Sequence, residues 1–245
     1  MPLLAADPAA FPAEPPGDLS DPVAIAAHDW AAFRALDEMT DHWSRPGWSD
    51  GSRAYYWMLT FPDAAALTAL ALRCQEALAP LGLDPVPADG LHITLARVGA
   101  PDSIDSGQLS GLVQAAEATL PEAFSLQAMP LAGSRGAVRL SVSPWEPLVR
   151  LHAALAQAAK NAGIIVKKPT AVFRPHLSIA YNNQRRSAAP VIDTVASLHC
   201  LSPVGLAIAD VQLVELRRCG TEYRWDVLKD VPLTGPDVAC RRPVP

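Results

Sequence analysis

Two stretches of the chain share one alternation of polar and apolar positions. In LHITL (residues 91–95), and again in PHLSI (residues 175–179), a histidine is followed two residues later by a hydroxyl residue, with apolar residues between and after. A period of two is typical of a strand, in which alternate side chains point to the same face. We therefore predict that His92 and Thr94 share one face, and that the second histidine and hydroxyl do the same.

The remaining hydrophobic periodicity predicts alternating helices and strands. Asp21 is a predicted N-cap, Pro22 a first helical residue, and apolar residues at helical spacing continue to Thr40. Elsewhere, β-branched and aromatic runs between turn residues predict strands. In chain order, the predicted elements are a helix over 21–40, a strand over 53–61, a helix over 63–78, the first histidine strand, a helix over 105–120, a hairpin of 124–132 and 137–143, a helix over 145–161, the second histidine strand over 172–181, a helix ending near 199, and a hairpin of 206–217 and 222–228.

The order of these elements is half repeated. The two motif histidines, His92 and His176, lie 84 residues apart, which is about the length of one small α/β lobe. Equivalent positions in two related halves predict an α+β fold of two lobes with approximate twofold symmetry. Such a pairing brings the two histidine strands to face each other across a cleft.

Composition separates a folded region from its flanks. Prolines among alanines over residues 1–20 disfavour any regular element, so we expect a flexible tail there, and another loose tail over 236–245. Residues 21–49 are expected to form a helix and a Trp-bearing loop packed on the core, and residues 50–235 a single bilobal domain. With 50% apolar and 18% charged residues in a chain of 245, a sizeable core is expected.

Charge and cysteine content narrow the classes of function. A formal net charge of −5 argues against electrostatic attraction of long nucleic acids, but it leaves a small phosphorylated ligand or a locally bound RNA end. The four cysteines have no C-x-x-C spacing, so we expect reduced thiols and no zinc site.

No apolar run approaches the roughly 20 residues of a membrane span. The first residues lack the basic region of a secretion signal, so a cytoplasmic protein is expected.

A pair of histidines suits displacement at a phosphodiester. The attacking and leaving oxygens lie on opposite sides of phosphorus, so one group removes a proton while another donates one. Histidine serves in either state because its ordinary pKa is close to 6.5. The hydroxyls of Thr94 and Ser178 are placed to donate hydrogen bonds to non-bridging phosphate oxygens. A single histidine on a strand is more often structural, and the duplicated spacing is what favours catalysis.

Together, HITLARVG (residues 92–99) and FRPHLSIAY (residues 173–181) resemble the paired H-x-[ST]-apolar motifs of the 2H phosphoesterase superfamily. The resemblance is to the bacterial 2′-5′ RNA ligase-like, or RNA 2′,3′-cyclic phosphodiesterase, branch, and it covers about residues 50 to 233. It implies a pseudo-twofold fold of two antiparallel sheets flanked by helices, with the active-site groove between them.

The same resemblance implies an activity and its residues. The implied reaction is hydrolysis, without metal or cofactor, of a small nucleoside or RNA-end 2′,3′-cyclic phosphate, commonly to a 2′-phosphate, or of a related 2′-5′ phosphodiester. By motif position, His92 and His176 are the acid–base pair, with their roles unassigned, while Thr94 and Ser178 bind the phosphate. No membrane or obligate protein partner is implied.

Further residues have two interpretations each. Arg174, two residues before the second histidine, either contacts phosphate or lies at the surface. Arg97 and Tyr181 each follow a motif histidine by five residues; in an ideal strand this odd offset points away from the site, so both either contact substrate or cap strand ends. Tyr56 and Trp57 either stack on a base or pack in the core.

Other histidines and other functions complete the sequence-based picture. His42 and His152 lie outside the paired motifs and are expected to pack or to lie at the surface. Two alternative functions remain: a module that binds a phosphorylated nucleotide without turnover, and a ligase working in the reverse direction on RNA ends.

Overall fold

Helices and strands alternate along residues 4–235, the part of the chain that the computed structural model describes. The helices are α1 (Pro22–Arg34), α2 (Ala65–Leu78), α3 (Ser106–Glu117), α4 (Trp145–Asn161) and α5 (Ala189–Ser197). The strands are β1 (Glu38–Met39), β2 (Arg53–Thr60), β3 (Asp84–Pro85), β4 (His92–Gly99), β5 (Phe124–Ser134), β6 (Ala137–Ser143), β7 (Leu177–Tyr181), β8 (Arg186–Ser187), β9 (Val204–Ile208), β10 (Asp210–Cys219) and β11 (Glu222–Pro232). The predicted C-terminal tail, 236–245, lies outside the described residues.

The strands form two main antiparallel sheets, as the fold prediction required. The first sheet has the order β11-β10-β2-β4 and the second the order β3-β7-β6-β5-β9, while β1 and β8 form a separate two-residue ladder. In each main sheet, a strand, a helix and a histidine strand follow one another, and the two strands pair side by side: β2-α2-β4 in the first sheet and β6-α4-β7 in the second. This repeated unit is the basis of the predicted symmetry between the halves.

Helices cover both sheets and share one core with them. Helices α3 and α4 pack against the first sheet, and α2 and α5 against the second. One contiguous cluster of buried apolar side chains includes Trp57 and Ile93 of the first sheet and Leu140 and Leu177 of the second. No helix within residues 4–235 has the length and hydropathy needed to cross a lipid bilayer.

The predicted elements are confirmed with three changes of boundary. Asp21 is the N-cap of α1, but the helix ends at Arg34 because the residues after it turn to pair with β8. The second histidine strand begins at Leu177, after a short 3₁₀ turn. The run predicted as one strand from 206 to 217 divides at Ala209 into β9 of the second sheet and β10 of the first. Its nearly continuous apolar pattern carries no mark of the change of sheet.

The N-terminal segment, residues 4–20, has no helix or strand but packs against the second lobe. The guanidinium group of Arg174, a residue that is only 6% exposed, donates hydrogen bonds to the carbonyl oxygens of Ala5, Pro12 and Ala13 at 2.7, 3.0 and 2.9 Å. This arrangement differs from two expectations. Residues 4–20 are held by the domain rather than forming a flexible tail, and Arg174 donates to this segment rather than lying at the surface or contacting a phosphate. A segment without secondary structure leaves its carbonyl groups unpaired, and a buried guanidinium satisfies them.

Replacing Arg174 by Met is expected to lower the free energy of unfolding by about 2–4 kcal/mol. Each hydrogen bond from a charged donor contributes about 1.5–3 kcal/mol, but an accessible acceptor such as the carbonyl oxygen of the exposed Ala5 can bind water instead. Chemical denaturation measures this change. The matched control is Arg185→Met, which removes an 81% exposed guanidinium paired with Glu38 and should leave the midpoint unchanged. Equal midpoints for wild type and Arg174→Met would contradict the proposed anchoring.

Candidate active site

Both motif histidines are anchored in the same way. The Nδ1 atom of His92 lies 2.8 Å from the carbonyl oxygen of Gly90, and the Nδ1 atom of His176 lies 2.9 Å from that of Arg174. A carbonyl oxygen can only accept, so in each ring Nδ1 carries the proton and donates it. The Nε2 atom of each neutral imidazole therefore carries the lone pair, as a general base requires.

The groove between the two sheets brings these histidines together. Tyr223 of β11 meets both sides of the groove edge-on, with ring centroids 6.5 Å from His92 and 5.6 Å from Tyr181 of the second sheet. Trp225 adds a second aromatic contact to His92 at 5.3 Å. The two histidines are close enough for His92 to contribute to lowering the pKa of His176.

The motif hydroxyls lie on strands at the positions that the alternation predicts. Along β4, His92 and Thr94 are half-buried, whereas Ile93 and Leu95 are buried in the core. Ser178 of β7 is directly opposite Arg139 of β6. Residues directly opposite in an antiparallel pair share a face, so a hydroxyl and a guanidinium are neighbours on the second side of the groove.

A β-bulge follows the hydroxyl residue in both motifs. In β4 the extra residue is Leu95, and in β7 it is Ile179. An extra residue reverses the alternation of side chains beyond it. Arg97 and Tyr181 therefore lie on the groove face with the histidines, and the expectation that their odd offset directs them away from the site is wrong.

The structure separates Tyr56 and Trp57, the two residues of β2 that were predicted as substrate contacts. Tyr56 is directly opposite Arg97 and shares its groove face. Burial raises the pKa of the Tyr56 hydroxyl, and the neighbouring Arg97 cation opposes that rise. Trp57 points the other way and is fully buried in the core. Of the four predicted substrate contacts, Tyr56 and Tyr181 thus reach the groove, while Trp57 and Arg174 do not.

A third histidine, His42, belongs to the site although its sequence context favoured packing or the surface. Its ring stacks on Tyr181 with centroids 4.0 Å apart and an interplanar angle of 25°. Its Nδ1 atom lies 3.1 Å from Nη2 of Arg45, which can only donate, so the proton is on Nε2 and is donated to the Tyr223 hydroxyl at 2.9 Å. This tautomer is the opposite of the one in the two motif histidines.

Hydrogen bonds from the backbone and from side chains hold the loop that carries His42. The His42 N–H donates to the carbonyl oxygen of Asn182 at 2.7 Å, and the Asn182 side chain donates to the carbonyl oxygen of Thr40 at 2.8 Å. The Trp43 indole donates to Asp84 at 2.8 Å. These contacts join residues about 40 and 140 positions apart in the sequence, so no local pattern signals them.

Burial keeps all three groove histidines neutral. It lowers the pKa of His42 to about 2, with further lowering by Arg45, and the pKa of His176 to about 3, with further lowering by Arg139. Burial also lowers the pKa of His92, against the opposing effect of the Gly90 carbonyl. The positive charge of the groove is therefore carried by arginines rather than by imidazolium groups.

Arg139 is a cation directly opposite Ser178, the motif hydroxyl residue of β7. Burial lowers its pKa to about 10, so it remains charged at neutral pH. Its Nη1 atom donates to the Phe11 carbonyl oxygen at 3.3 Å, while its buried Nε has no hydrogen-bond partner among residues 4–235. Within those residues no three or more His, Cys, Asp or Glu side chains cluster as metal ligands would. A cationic, hydroxyl-bearing groove of this kind suits an anion such as a phosphate.

The fold and the paired motifs define a phosphoesterase of the two-histidine type, and comparison with known families agrees. The family model of the 2′-5′ RNA ligase superfamily matches residues 61–218, which is more than half of the chain. The chain belongs to this superfamily. A search of curated protein sequences finds no significant match.

Solved structures share the fold at low sequence identity. The chain is similar to a crystal structure described as a phosphoesterase (TM-score 0.55, 19% identity, covering 75% of this chain and 99% of the other). It is also similar to the protein TT0787 of Thermus thermophilus (0.54, 19%, 75% and 100%) and to Escherichia coli LigT complexed with 3′-AMP (0.53, 19%, 76% and 100%). At this identity the likeness concerns the fold.

The tautomers can be observed directly. At pH 7 we expect long-range ¹H–¹⁵N spectra to show neutral rings for all three groove histidines, with the proton on Nδ1 in His92 and His176 and on Nε2 in His42. The His42→Gln variant should remove one Nε2–H pattern and so assign it, while the Nε2–H pattern of His199, whose Nε2 donates to the Leu131 carbonyl oxygen, should remain. A charged ring, or a single tautomer for all three, would contradict the hydrogen-bond assignment.

Acid should destabilise the protein through the same groups. The folded pKa of His176 is about 3, below the ordinary value near 6.5, so between these two pH values the unfolded state binds a proton that the folded state does not. The free energy of unfolding is therefore expected to fall as the pH falls from about 6.5 toward 3. In His176→Gln, denaturation at a series of pH values should give a shallower slope, and a curve parallel to wild type is the contrary result.

Proposed function

We propose that this phosphoesterase hydrolyses 2′,3′-cyclic phosphates of nucleosides or RNA ends by means of a pair of histidines that act as general acid and base; related 2′-5′ phosphodiesters are the neighbouring substrate class. The observation that carries the proposal is the matched pair of imidazoles, one from each half of the fold. Each donates Nδ1–H to a backbone carbonyl and holds its Nε2 lone pair for the reaction.

The two histidines take different roles in this proposal. His176, which Arg139 and His92 help to keep neutral, is the base: its Nε2 accepts a proton from the water that attacks phosphorus. His92, in which the Gly90 carbonyl opposes the lowering of the pKa, is the acid, and it takes up its proton when the anionic phosphate binds beside it. As the new P–O bond forms, the P–O3′ bond breaks and O3′ receives the proton from His92 Nε2. A 2′-phosphate is left, and solvent returns both rings to their starting states.

The hydroxyls and the buried cation stabilise the charge that develops on phosphate. Thr94 and Ser178 donate from opposite sides of the groove to the non-bridging oxygens. The Nε–H of Arg139, which lies beside Ser178 and has no partner among residues 4–235, is a third donor. Because these groups are fixed by strands rather than by loops, they need little rearrangement during the reaction.

Aromatic rings provide the place for a base. Tyr181, Tyr223 and Trp225 lie around the two histidines, and a nucleobase can stack on such faces without sequence preference. Structures of the similar protein LigT carry ATP or 3′-AMP, which supports a nucleotide-sized ligand for the shared fold. A small cyclic nucleotide or an RNA end is therefore the proposed substrate.

The decisive experiment is hydrolysis of nucleoside 2′,3′-cyclic phosphates with a chelator present, with the product identified as the 2′- or 3′-phosphate. We expect turnover to a 2′-phosphate, and a loss of about 10²- to 10⁴-fold in kcat for His92→Ala and for His176→Ala. The control His28→Ala removes a histidine outside the groove and should retain wild-type kcat. Activity that survives both groove substitutions would overturn the acid–base assignment.

The alternative functions predict other products. A module that only binds would return the cyclic nucleotide unchanged after tight binding. A ligase working in reverse would require a free 5′-hydroxyl end and would form a 2′-5′ linkage from the same cyclic phosphate. Product analysis of one incubation, with and without a 5′-hydroxyl RNA, separates the three.

A further inference from the structure

A second cavity adjoins the catalytic groove and is lined by arginines. Its volume is about 250 Å³, and Arg45, Arg135 and Arg139 all contribute to its wall. The cavity, here called the arginine pocket, lies where the loop after β1 meets the turn between β5 and β6, and Phe11 of the N-terminal segment closes one side. Two parts of the chain, the loop after β1 and the β5–β6 hairpin, thus bring cations to one place.

The charge of this pocket is only partly balanced by the protein. Asp41 is the acidic residue in its wall, and its Oδ1 already accepts the Trp43 N–H at 2.8 Å. Asp29 opposes the lowering of the Arg139 pKa, but its Oδ2 accepts from the Ser141 hydroxyl at 2.8 Å. Within residues 4–235, none of the three arginines forms an ion pair. Like charges held together without paired counter-charges repel each other, so an anion in the pocket would be stabilised by all three.

The arginine donors are oriented but largely free for a ligand. Arg135 reaches the carbonyl oxygens of Pro8 and Ala10 only at 3.5 Å, the outer limit of a hydrogen bond, and among residues 4–235 the Nε of Arg139 has no partner. The Phe11 ring lies 5.4 Å from the Cζ atom of Arg135 and 5.7 Å from that of Arg139. Such cation–π contacts fix the guanidinium groups without using their N–H donors.

The pocket opens from the His176 side of the groove. Arg139 lies opposite Ser178, and Arg45 donates to His42, whose ring stacks on Tyr181. A molecule whose reacting phosphate sits between the two motifs therefore has a second anion site beside it. Arg45 and Phe11 precede residue 61, where the superfamily match begins, so this chain builds part of the pocket from residues outside the shared region.

We propose that the arginine pocket binds a second phosphate group of the substrate, so that the preferred substrate is a nucleotide bearing a phosphate in addition to the phosphodiester that is cleaved. The inference rests on the proposed function for the identity of the reacting group. Guanidinium groups match phosphate because their N–H donors pair with its oxygens in a fixed geometry.

A matched substrate pair tests the pocket. We compare kcat/KM for adenosine 2′,3′-cyclic phosphate with a 5′-phosphate and with a 5′-hydroxyl, and expect the wild type to favour the 5′-phosphate by about tenfold or more. In Arg45→Gln and Arg135→Gln this ratio should fall toward one. A ratio is insensitive to partial unfolding, because both substrates meet the same fraction of folded enzyme. The control Arg150→Gln alters an exposed arginine on α4 and should keep the wild-type ratio.

Two results would overturn the pocket proposal: a wild-type ratio near one, or a ratio that Arg45→Gln and Arg135→Gln leave intact. A binding experiment separates this failure from failure of the proposed hydrolysis. Calorimetry should show about tenfold tighter binding of adenosine 3′,5′-bisphosphate than of 3′-AMP, and Arg135→Gln should abolish the difference. If no cyclic substrate is turned over but this difference in affinity persists, the hydrolysis proposal is wrong and the pocket proposal is supported. If cyclic substrates are turned over without any preference for a 5′-phosphate, the hydrolysis proposal is supported and the pocket proposal is wrong.

Discussion

One backbone hydrogen bond to each motif histidine determines what the groove can do. The carbonyl oxygens of Gly90 and Arg174 accept from Nδ1, so the proton is fixed on that nitrogen and the lone pair on Nε2. Each acceptor lies two residues before its histidine, and this spacing is the same in both halves. The same local hydrogen bond therefore recurs in both motifs, and it gives two rings that start in the same protonation state. In the proposed mechanism, the different roles of the two rings therefore come from their surroundings.

Those surroundings differ because Arg139 and Arg45 act on His176, the histidine of the second motif. Arg139 and Arg45 add to the effect of burial in lowering the pKa of His176. Burial also lowers the pKa of His92, but the hydrogen bond to the Gly90 carbonyl oxygen opposes that lowering. The approximate twofold symmetry of the fold is therefore broken by charge rather than by backbone. In a groove of neutral imidazoles and fixed cations, an anionic substrate supplies the negative charge that stabilises a protonated ring. In the proposed mechanism, binding of the substrate therefore also protonates the acid, His92.

The sequence was sufficient for the alternation of elements and for the faces of His92 and Thr94, because both follow from hydrophobic periodicity. The pair of sheets was predicted from the family resemblance of the paired motifs. The sequence was not sufficient for Arg97 and Tyr181. One extra residue, Leu95 in β4 and Ile179 in β7, reverses the facing of the residues that follow, and an apolar residue in a bulge reads like any other strand residue. The recurrence of the bulge at equivalent positions means that the repeat extends past the motif itself.

The other misjudged residues depend on contacts between distant parts of the chain. Arg174 looks like a site residue because it precedes a motif histidine, yet a proline-rich segment more than 160 positions away supplies the carbonyl acceptors to which it donates. His42 has no motif of its own, and only the folded chain brings it to Tyr181 and Tyr223. Both cases have one physical origin. Residues 4–49 add no strand to either main sheet, so side chains of the domain hold them, and they place His42 and Arg45 at the edge of its groove.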